Sequence, residues 1–459
     1  MVVDASVMVD GTLASDAQPT EPGGVRWILS LASVVNASVQ DGADGLVLTG
    51  TMGGVPIDFG GGTLRPTGLD AWVTLGYDAE TAAYRSSVLH NNGDAGRSSP
   101  FVHTVDPGGA PIINGWSAGD VDLGQGTVPG GGNGDDGFIG VYGAGVPRWL
   151  SRIVGGDARL VATALGADDT CYGAGWFAGS PTFNGATLTS AGGRDLFVAR
   201  FSTSTGAVAF TRTFGGNGYD EISSAARSGD DLVLSGIFND TLAFGGTAQP
   251  ITATSGFEYW VSKLGPDGDG VWAVHYEGVG TFPTPHLAVD SAGDIYITGT
   301  FHGHIAFGSI DVFAHDASDG DIFVAKLRGS DGNAMWAVSL GSPPEGPFNP
   351  LHRFDRVNDI AVDNAGHLVV AANIDGPLDA RQSAGGFDAV IASFDSATGA
   401  TRWINVYSTP FDDTATAVTY GRNGDVYALV RFIGLFDFGH PIIGGVGGGG
   451  YTFLLRLAP

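Results

Sequence analysis

The chain has a single cysteine, Cys171, in 459 residues, so no intramolecular disulfide holds it together and its cohesion must come from a packed core. Bases are also scarce: 21 Lys and Arg stand against 48 Asp and Glu, a formal net charge of −27. Such a chain repels nucleic-acid phosphates and anionic lipid headgroups, which excludes nucleic acid as a partner and leaves cations and neutral or cationic ligands. No run of 18 apolar residues is present, so direct membrane insertion through a helix is excluded. The N-terminus lacks a basic region followed by an apolar one, so the chain as given shows no signal peptide. Gly-x-Ser-x-Gly and His-Glu-x-x-His phrases are absent as well. The glycine-rich runs before Phe138 and Tyr451 lead into strand-like segments rather than helices and are not phosphate loops.

What the chain has is a period. Trp27, Tyr84, Trp149, Phe210, Trp272, Trp336 and Trp403 each open a short apolar run, at intervals of 57 to 67 residues. A repeat of about 63 residues marks a repeat architecture rather than a string of unrelated domains. Each unit carries three more strand-like runs. The expected fold is therefore all-β, a seven-bladed β-propeller with four antiparallel strands per blade. Residues 25–459 form the propeller. Residues 1–24, rich in Asp, Ala, Ser and Thr and without aromatics, read as a disordered acidic tether.

Unit five shows the strand order. LAVD, the turn SAG, DIYITGTF, a long loop, DIFVAKL, a Gly-Asn turn and WAVSL follow one another. Ala288 in LAVD aligns with Val39, Thr104, Ala164, Ala225, Ala361 and Thr419, none larger than valine. Small residues suit the crowded inner strand, and the Trp-led run suits the outer one. This phase leaves the last unit short of an outer strand and the N-terminus with one to spare. Trp27 to Leu31 is thus expected beside Tyr451 to Leu457, closing the ring.

The phrase AVDSAGDIYITGTF, with DIFVAKL and WAVSLG after it, resembles the bacterial seven-bladed β-propeller repeat family of exported and surface proteins. Its Ala-Val-Asp-x-x-Gly-x-Ile-Tyr-Ile portion is also similar to the NHL repeat. The resemblance covers everything after residue 24 and implies a propeller in an extracellular, cell-surface or periplasmic setting. It carries over no catalytic residue. The leader resembles the segment that follows the lipid-modified cysteine of bacterial surface lipoproteins, but has no cysteine itself.

Four groups of residues are candidate sites. Six of seven third strands begin with an acid, Asp70, Asp136, Asp195, Glu258, Asp321 and Asp388, with Tyr451 the exception. An acidic ring for cations is one reading. A residue repeated in nearly every blade reads more simply as architecture, each carboxylate accepting N–H groups of the preceding loop. Basic residues recur late in the same strand at Arg200, Lys263, Lys326 and Arg456, as rim ion-pair partners. Unit five holds His275, His286, His302, His304 and His315. His302, His304 and His315, with Asp316, are the donor types of a metal site, but their spacing is not that of a known one, and the cluster is expected to be metal-free. The long connection into unit six holds His352, Arg353, Phe354, Asp355 and Arg356, the densest basic cluster on an acidic chain, suited to an anionic group or a partner's acidic patch, though ion pairing with neighbouring acidic loops is the simpler reading. Asp267, Gly268 and Asp269 look like part of a calcium loop but lack its full ligand set, so hairpin chemistry explains them.

Strand direction alternates, so second-to-third loops and fourth-to-first connections share one end of the blades. Both are long, and function is expected there. The expected function is a non-enzymatic, monomeric binding or structural module without a cofactor, for a protein or carbohydrate ligand. The alternative is a hydrolase or lyase with acids and histidines at the channel mouth.

Overall fold

The structure is a computed structural model. It describes residues 21–459, apart from 33, 43–44, 68–69, 92–95, 133, 144, 255, 279–283, 316–319, 343–354, 379–382, 435 and 437–449. Before residue 21 it describes only Val3–Asp4 and Val7–Met8, so the expected tether lies almost wholly outside the described residues.

The chain is an all-β propeller with four-stranded antiparallel blades. Blade 1 takes residues 35–91, blade 2 97–154, blade 3 157–214, blade 4 219–276, blade 5 286–340 and blade 6 356–407. In each, four consecutive long strands lie in sequence order across the sheet. Six such blades, not the expected seven, are built from one stretch of chain. The remaining sheet is a composite, and it has five strands rather than four. Its order is Val7–Met8, Val25–Ser30, Tyr451–Leu457, Val426–Phe432, Thr414–Tyr420. The reason for the departure is local. The outer side of Tyr451–Leu457 pairs with Val25–Ser30, Trp27 facing Arg456 and Leu29 facing Leu454, instead of with a strand that follows it. Val7–Met8 then pairs with Ile28 and Leu29 on the free edge. Blade 2 also departs from uniformity, because the hairpin Thr182–Phe183/Ala186–Thr187 extends its outer strand to make six strands.

The described chain divides into two compact units. One contains blades 1 to 4; the other contains blades 5 and 6, the composite sheet and the turn Ala79–Ala83. Within each, neighbouring sheets pack face to face. Tyr172, Leu196, Val198 and Phe214 of blade 3 meet Ile222, Leu234, Phe238 and Trp260 of blade 4 in one cluster. Val324 and Trp336 of blade 5 meet Ile360, Val370 and Val390 of blade 6 in another. Strands covered on both faces are expected to be largely apolar and buried along their length, as Leu232–Phe238 and Ile322–Ala325 are.

First strands of adjacent blades approach closely enough for side chains to bond backbone across the gap. Ser38 Oγ accepts from Val102 N (2.9 Å), and Asp359 Oδ2 accepts from Val418 N (3.0 Å). Small residues permit this: Ala164 and Ala288 are both buried there. The aromatic period has an equally concrete cause. The Trp336 indole donates to Ser396 O (2.9 Å) in the next blade's third-to-fourth turn and lies on Gly399, where a Cβ would stand 2.7 Å from the ring. Gly399 has φ +73°, a left-handed conformation that glycine adopts without penalty. Trp149 repeats the bond to Thr203 O (2.8 Å).

Candidate functional site

The repeated acids stand at the first residues of third strands, at the end of the blades where the long loops emerge. Blade 1's Asp70 begins its strand, and its side chain lies outside the described residues. In the first unit, Asp136 accepts from Gly131 N (2.6 Å) and pairs with Arg152 (3.0 Å). Asp195 accepts from Ala191 N (2.8 Å), and Glu258 from Thr254 N (2.5 Å). In the second unit, Asp321 accepts from His315 N (2.8 Å). Each of these carboxylates ties down the loop that precedes its own strand.

Not every member is satisfied. Asp195 is buried and its Oδ1 meets no donor; neither oxygen of Asp388 meets one at bonding distance. Burial pushes Asp195 above the ordinary carboxylate range and Asp388 up to about 6. A second acid, not singled out by the repeat, stands near each of them at the start of the next first strand. Burial lifts Asp220 to about 7 against a bond from Gly216 N, with Asp195 and Asp240 adding repulsion. Burial lifts Asp413 to about 7 in the same way beside Asp388.

Along the same end of the first unit runs a ladder of alternating rings and guanidinium groups. The Arg159 guanidinium lies over Trp116 (4.5 Å) and Trp176 (5.5 Å). That of Arg194 lies over Trp176 (3.5 Å) and Tyr219 (4.8 Å). Phe257 meets Tyr219 edge-on at 5.6 Å and is 38% exposed. Carboxylates fix both cations: Arg159 Nε reaches Asp135 Oδ2 (2.6 Å), and Arg194 Nη1 pairs with Glu221, which also accepts from Tyr219 OH (2.8 Å). Burial and the Glu221 bond push the Tyr219 phenol up to about 12. The result is a rigid polar–aromatic strip ending in an exposed ring. Its members come from strands of three blades, which is why the sequence reading missed them. The available signal was Trp116 and Trp176, at equivalent points late in successive second strands.

The histidines do not converge. In the second unit, the His304 imidazole bonds Asp311 (2.8 Å) and lies 4.8 Å from Phe313 on an exposed hairpin. His315 Nδ1 bonds Asp321 (2.6 Å), and His302 N donates to Gly278 O (3.3 Å). In the first unit, His275 bonds Glu258 (2.5 Å). Each imidazole that faces an acid thus has one of its own. Among the described residues no three His, Cys, Asp or Glu are gathered to hold a metal. Of the basic cluster, His352, Arg353 and Phe354 lie outside the described residues, as does Asp316. Asp355 is buried, accepting from Asp375 N (2.9 Å), and the Arg356 guanidinium lies 5.3 Å over Phe387. The recurring bases sit at the opposite end of the blades. Lys263 pairs with Asp231 (3.1 Å), Lys326 with Asp290 and Asp294 (3.2 Å each), and Arg456 with Asp425 (2.5 Å) and Glu80 (2.6 Å). Arg200 bonds Thr170 Oγ1 (3.1 Å).

No family model matches the chain, and no curated protein matches it. Solved structures do. The hydrazine synthase of Kuenenia stuttgartiensis is 12% identical, with a TM-score of 0.42, over 90% of this chain and 94% of that one. The Dos1 propeller is 9% identical, with a TM-score of 0.39, over 95% and 94%. The quinohemoprotein alcohol dehydrogenase of Comamonas testosteroni is 12% identical, with a TM-score of 0.38, over 83% of this chain and 64% of its own length. Likenesses this distant concern the fold and lend this chain no activity.

Proposed function

We propose that the chain is a non-enzymatic binding module of an exported or cell-surface protein, recognising a carbohydrate ligand at the long-loop end of blades 3 and 4. The observation that carries this reading is the strip from Trp116 to Phe257. Aromatic rings held by ion-paired guanidinium groups offer an apolar face beside fixed polar groups, the combination that suits a sugar ring. Exposed Phe257 is the contact and Glu221 the neighbouring acceptor. The net charge of −27 favours a neutral ligand over nucleic acid or an anionic membrane. Burial weighs against the hydrolase or lyase alternative, since Asp220 and Asp413 have raised affinities for protons but are sealed from solvent.

The test is a glycan array read with wild type, Phe257→Ala and Phe257→Trp. Retention of a glycan class by wild type and Phe257→Trp, with loss in Phe257→Ala at unchanged melting temperature, supports the reading. No retained glycan, or equal retention by Phe257→Ala, overturns it.

A further inference from the structure

A small hairpin in the second-to-third loop of blade 2, Val121–Asp122 paired with Thr127–Val128, packs over a histidine of blade 1. His90 lies in that blade's fourth strand, opposite Trp72, and its imidazole stacks on the indole at 3.6 Å with the ring planes 10° apart. Tyr142 meets the same imidazole edge-on at 6.2 Å. The hairpin covers another side: a Cβ on Gly124 would stand 3.4 Å from His90 Cε1. Two bonds hold it there, from the Trp72 indole to Asp122 O (3.3 Å) and from Tyr142 OH to Leu123 O (3.0 Å). Val121 and Leu123 are buried in the same cluster as these rings. His90 is 1% exposed, and its Nε2 has no hydrogen-bond partner.

We infer that this hairpin is an acid-released latch: it stays closed while His90 is neutral, and uptake of a proton by the imidazole opens it. The groups that face the imidazole give an added proton little support. Asp122 attracts it, but the Asp122 Oδ1 already accepts from Gly124 N (2.8 Å) and Gly126 N (3.0 Å). Tyr142 stays neutral, its phenol pushed up by burial. On the fourth strand of blade 2, Pro147 backs Gly124, and Arg148 is paired with Asp106 (2.5 Å). Attraction to the Trp72 face offsets part of the cost of burying a cation but supplies no hydrogen bond. Burial prevails and takes His90 from the ordinary 6.5 down to about 4. An open hairpin returns the imidazole to water, so between those values the open form binds more protons than the closed one. The opening equilibrium should then grow by up to about tenfold for each unit that pH falls between about 6.5 and about 4. The latch is built from residues outside the aromatic strip, so it stands or falls independently of the proposed carbohydrate reading.

The experiment is native-state hydrogen exchange of the full chain, read by mass spectrometry from about pH 7 to about pH 4 and expressed at each pH as protection relative to the unstructured rate. Segment 120–128 should lose protection by up to about tenfold per unit of falling pH in wild type. The hairpin Thr182–Phe183/Ala186–Thr187 serves as the reference in the same samples. His90→Phe keeps a ring against Trp72 and carries no titrating group, so protection of 120–128 should no longer depend on pH. His90→Gln, also neutral, should behave likewise from a lower starting level, and it serves if His90→Phe does not fold. Protection of 120–128 that is flat with pH in wild type overturns the inference. A fall as steep as that of wild type in either folded neutral variant overturns it as well.

Discussion

Asp290 and Asp220 are both aspartates at blade ends, and their surroundings drive them in opposite directions. Asp290 sits at the short-turn end of blade 5. Burial pulls its pKa upward, but bonds from Tyr296 and Lys326 and the Lys326 charge bring it below the ordinary range. Asp220 sits at the long-loop end of blade 4, where burial prevails over the bond from Gly216 N. The short-turn end is electrically closed: nearly every base late in a third strand meets an acid from the adjoining turn. The long-loop end keeps unbalanced carboxylates and an exposed ring. A fold that neutralises one end and leaves the other charged separates the work of stability from that of recognition.

The comparison can be broken most violently at the composite sheet. Deleting residues 1–31 removes Val25–Ser30 with buried Trp27, Ile28 and Leu29. At about 1.5–3 kcal/mol per large apolar side chain, the loss should exceed about 5 kcal/mol and abolish cooperative unfolding. Urea denaturation monitored by tryptophan fluorescence would show it. Next, Lys326→Met strands Asp290 and Asp294, both in contact with the ammonium at 3.2 Å, and should cost about 2–4 kcal/mol by the same measurement. Were it neutral, the short-turn end would not be electrically closed in any energetic sense.

A third test uses pH. Asp220, Asp359 and Asp413 are raised to about 7 and Asp388 to about 6, chiefly by burial. Between the unfolded and folded values the native state holds more protons than the unfolded one. Stability should therefore fall as pH rises from about 4 through 7. Asp359→Asn should flatten part of that slope. Asp290 acts with the opposite sign, its stabilisation being lost only in stronger acid. The smallest effect sharpens the contrast from the other side. Arg194→Gln removes stacking on Trp176 and Tyr219, and because the guanidinium is partly solvated it should cost only about 0.5–1 kcal/mol while reducing ligand retention.

Much of the scaffold could be read from the chain, because its determinants repeat. The aromatic period located the outer strands, since Trp149, Phe210 and Trp336 each lay a ring on a glycine of the next blade's turn, Gly206, Gly268 and Gly399. Its phase also placed the strand of Trp27 against Tyr451–Leu457. The period misled on uniformity: it counted seven equal units where six blades are contiguous and the last sheet draws on distant segments. The acid slot was visible, but not its division into satisfied and orphaned members. That depends on which loop N–H reaches which oxygen. Asp220 and Asp413 follow Asp195 and Asp388 at the same distance along the chain, a correlation visible only when two successive blades are read together. The ladder was hidden for the same reason, since Arg159 has no special company until blade 2 delivers Trp116.

Where blades 1 to 6 have a covalent turn between third and fourth strands, the composite sheet has only hydrogen bonds. Gly23 N donates to Ala458 O (2.9 Å) and Ala458 N to Gly24 O (2.8 Å). Gly23, at φ +78°, takes the place under Trp403 that Gly399 takes under Trp336, and Asn405 Nδ2 binds its carbonyl (2.7 Å). The gap is thus a hairpin with its bond left out. Forming it demands that the two flanks meet across the entire intervening chain, a search whose entropy cost grows with loop length. Joining the flanks with a short linker in place of the residues before Gly23, and opening the chain at another third-to-fourth turn, would keep the pairing of Val25–Ser30 with Tyr451–Leu457. It would replace that longest search with a local one, and the permuted chain should fold faster to the same structure.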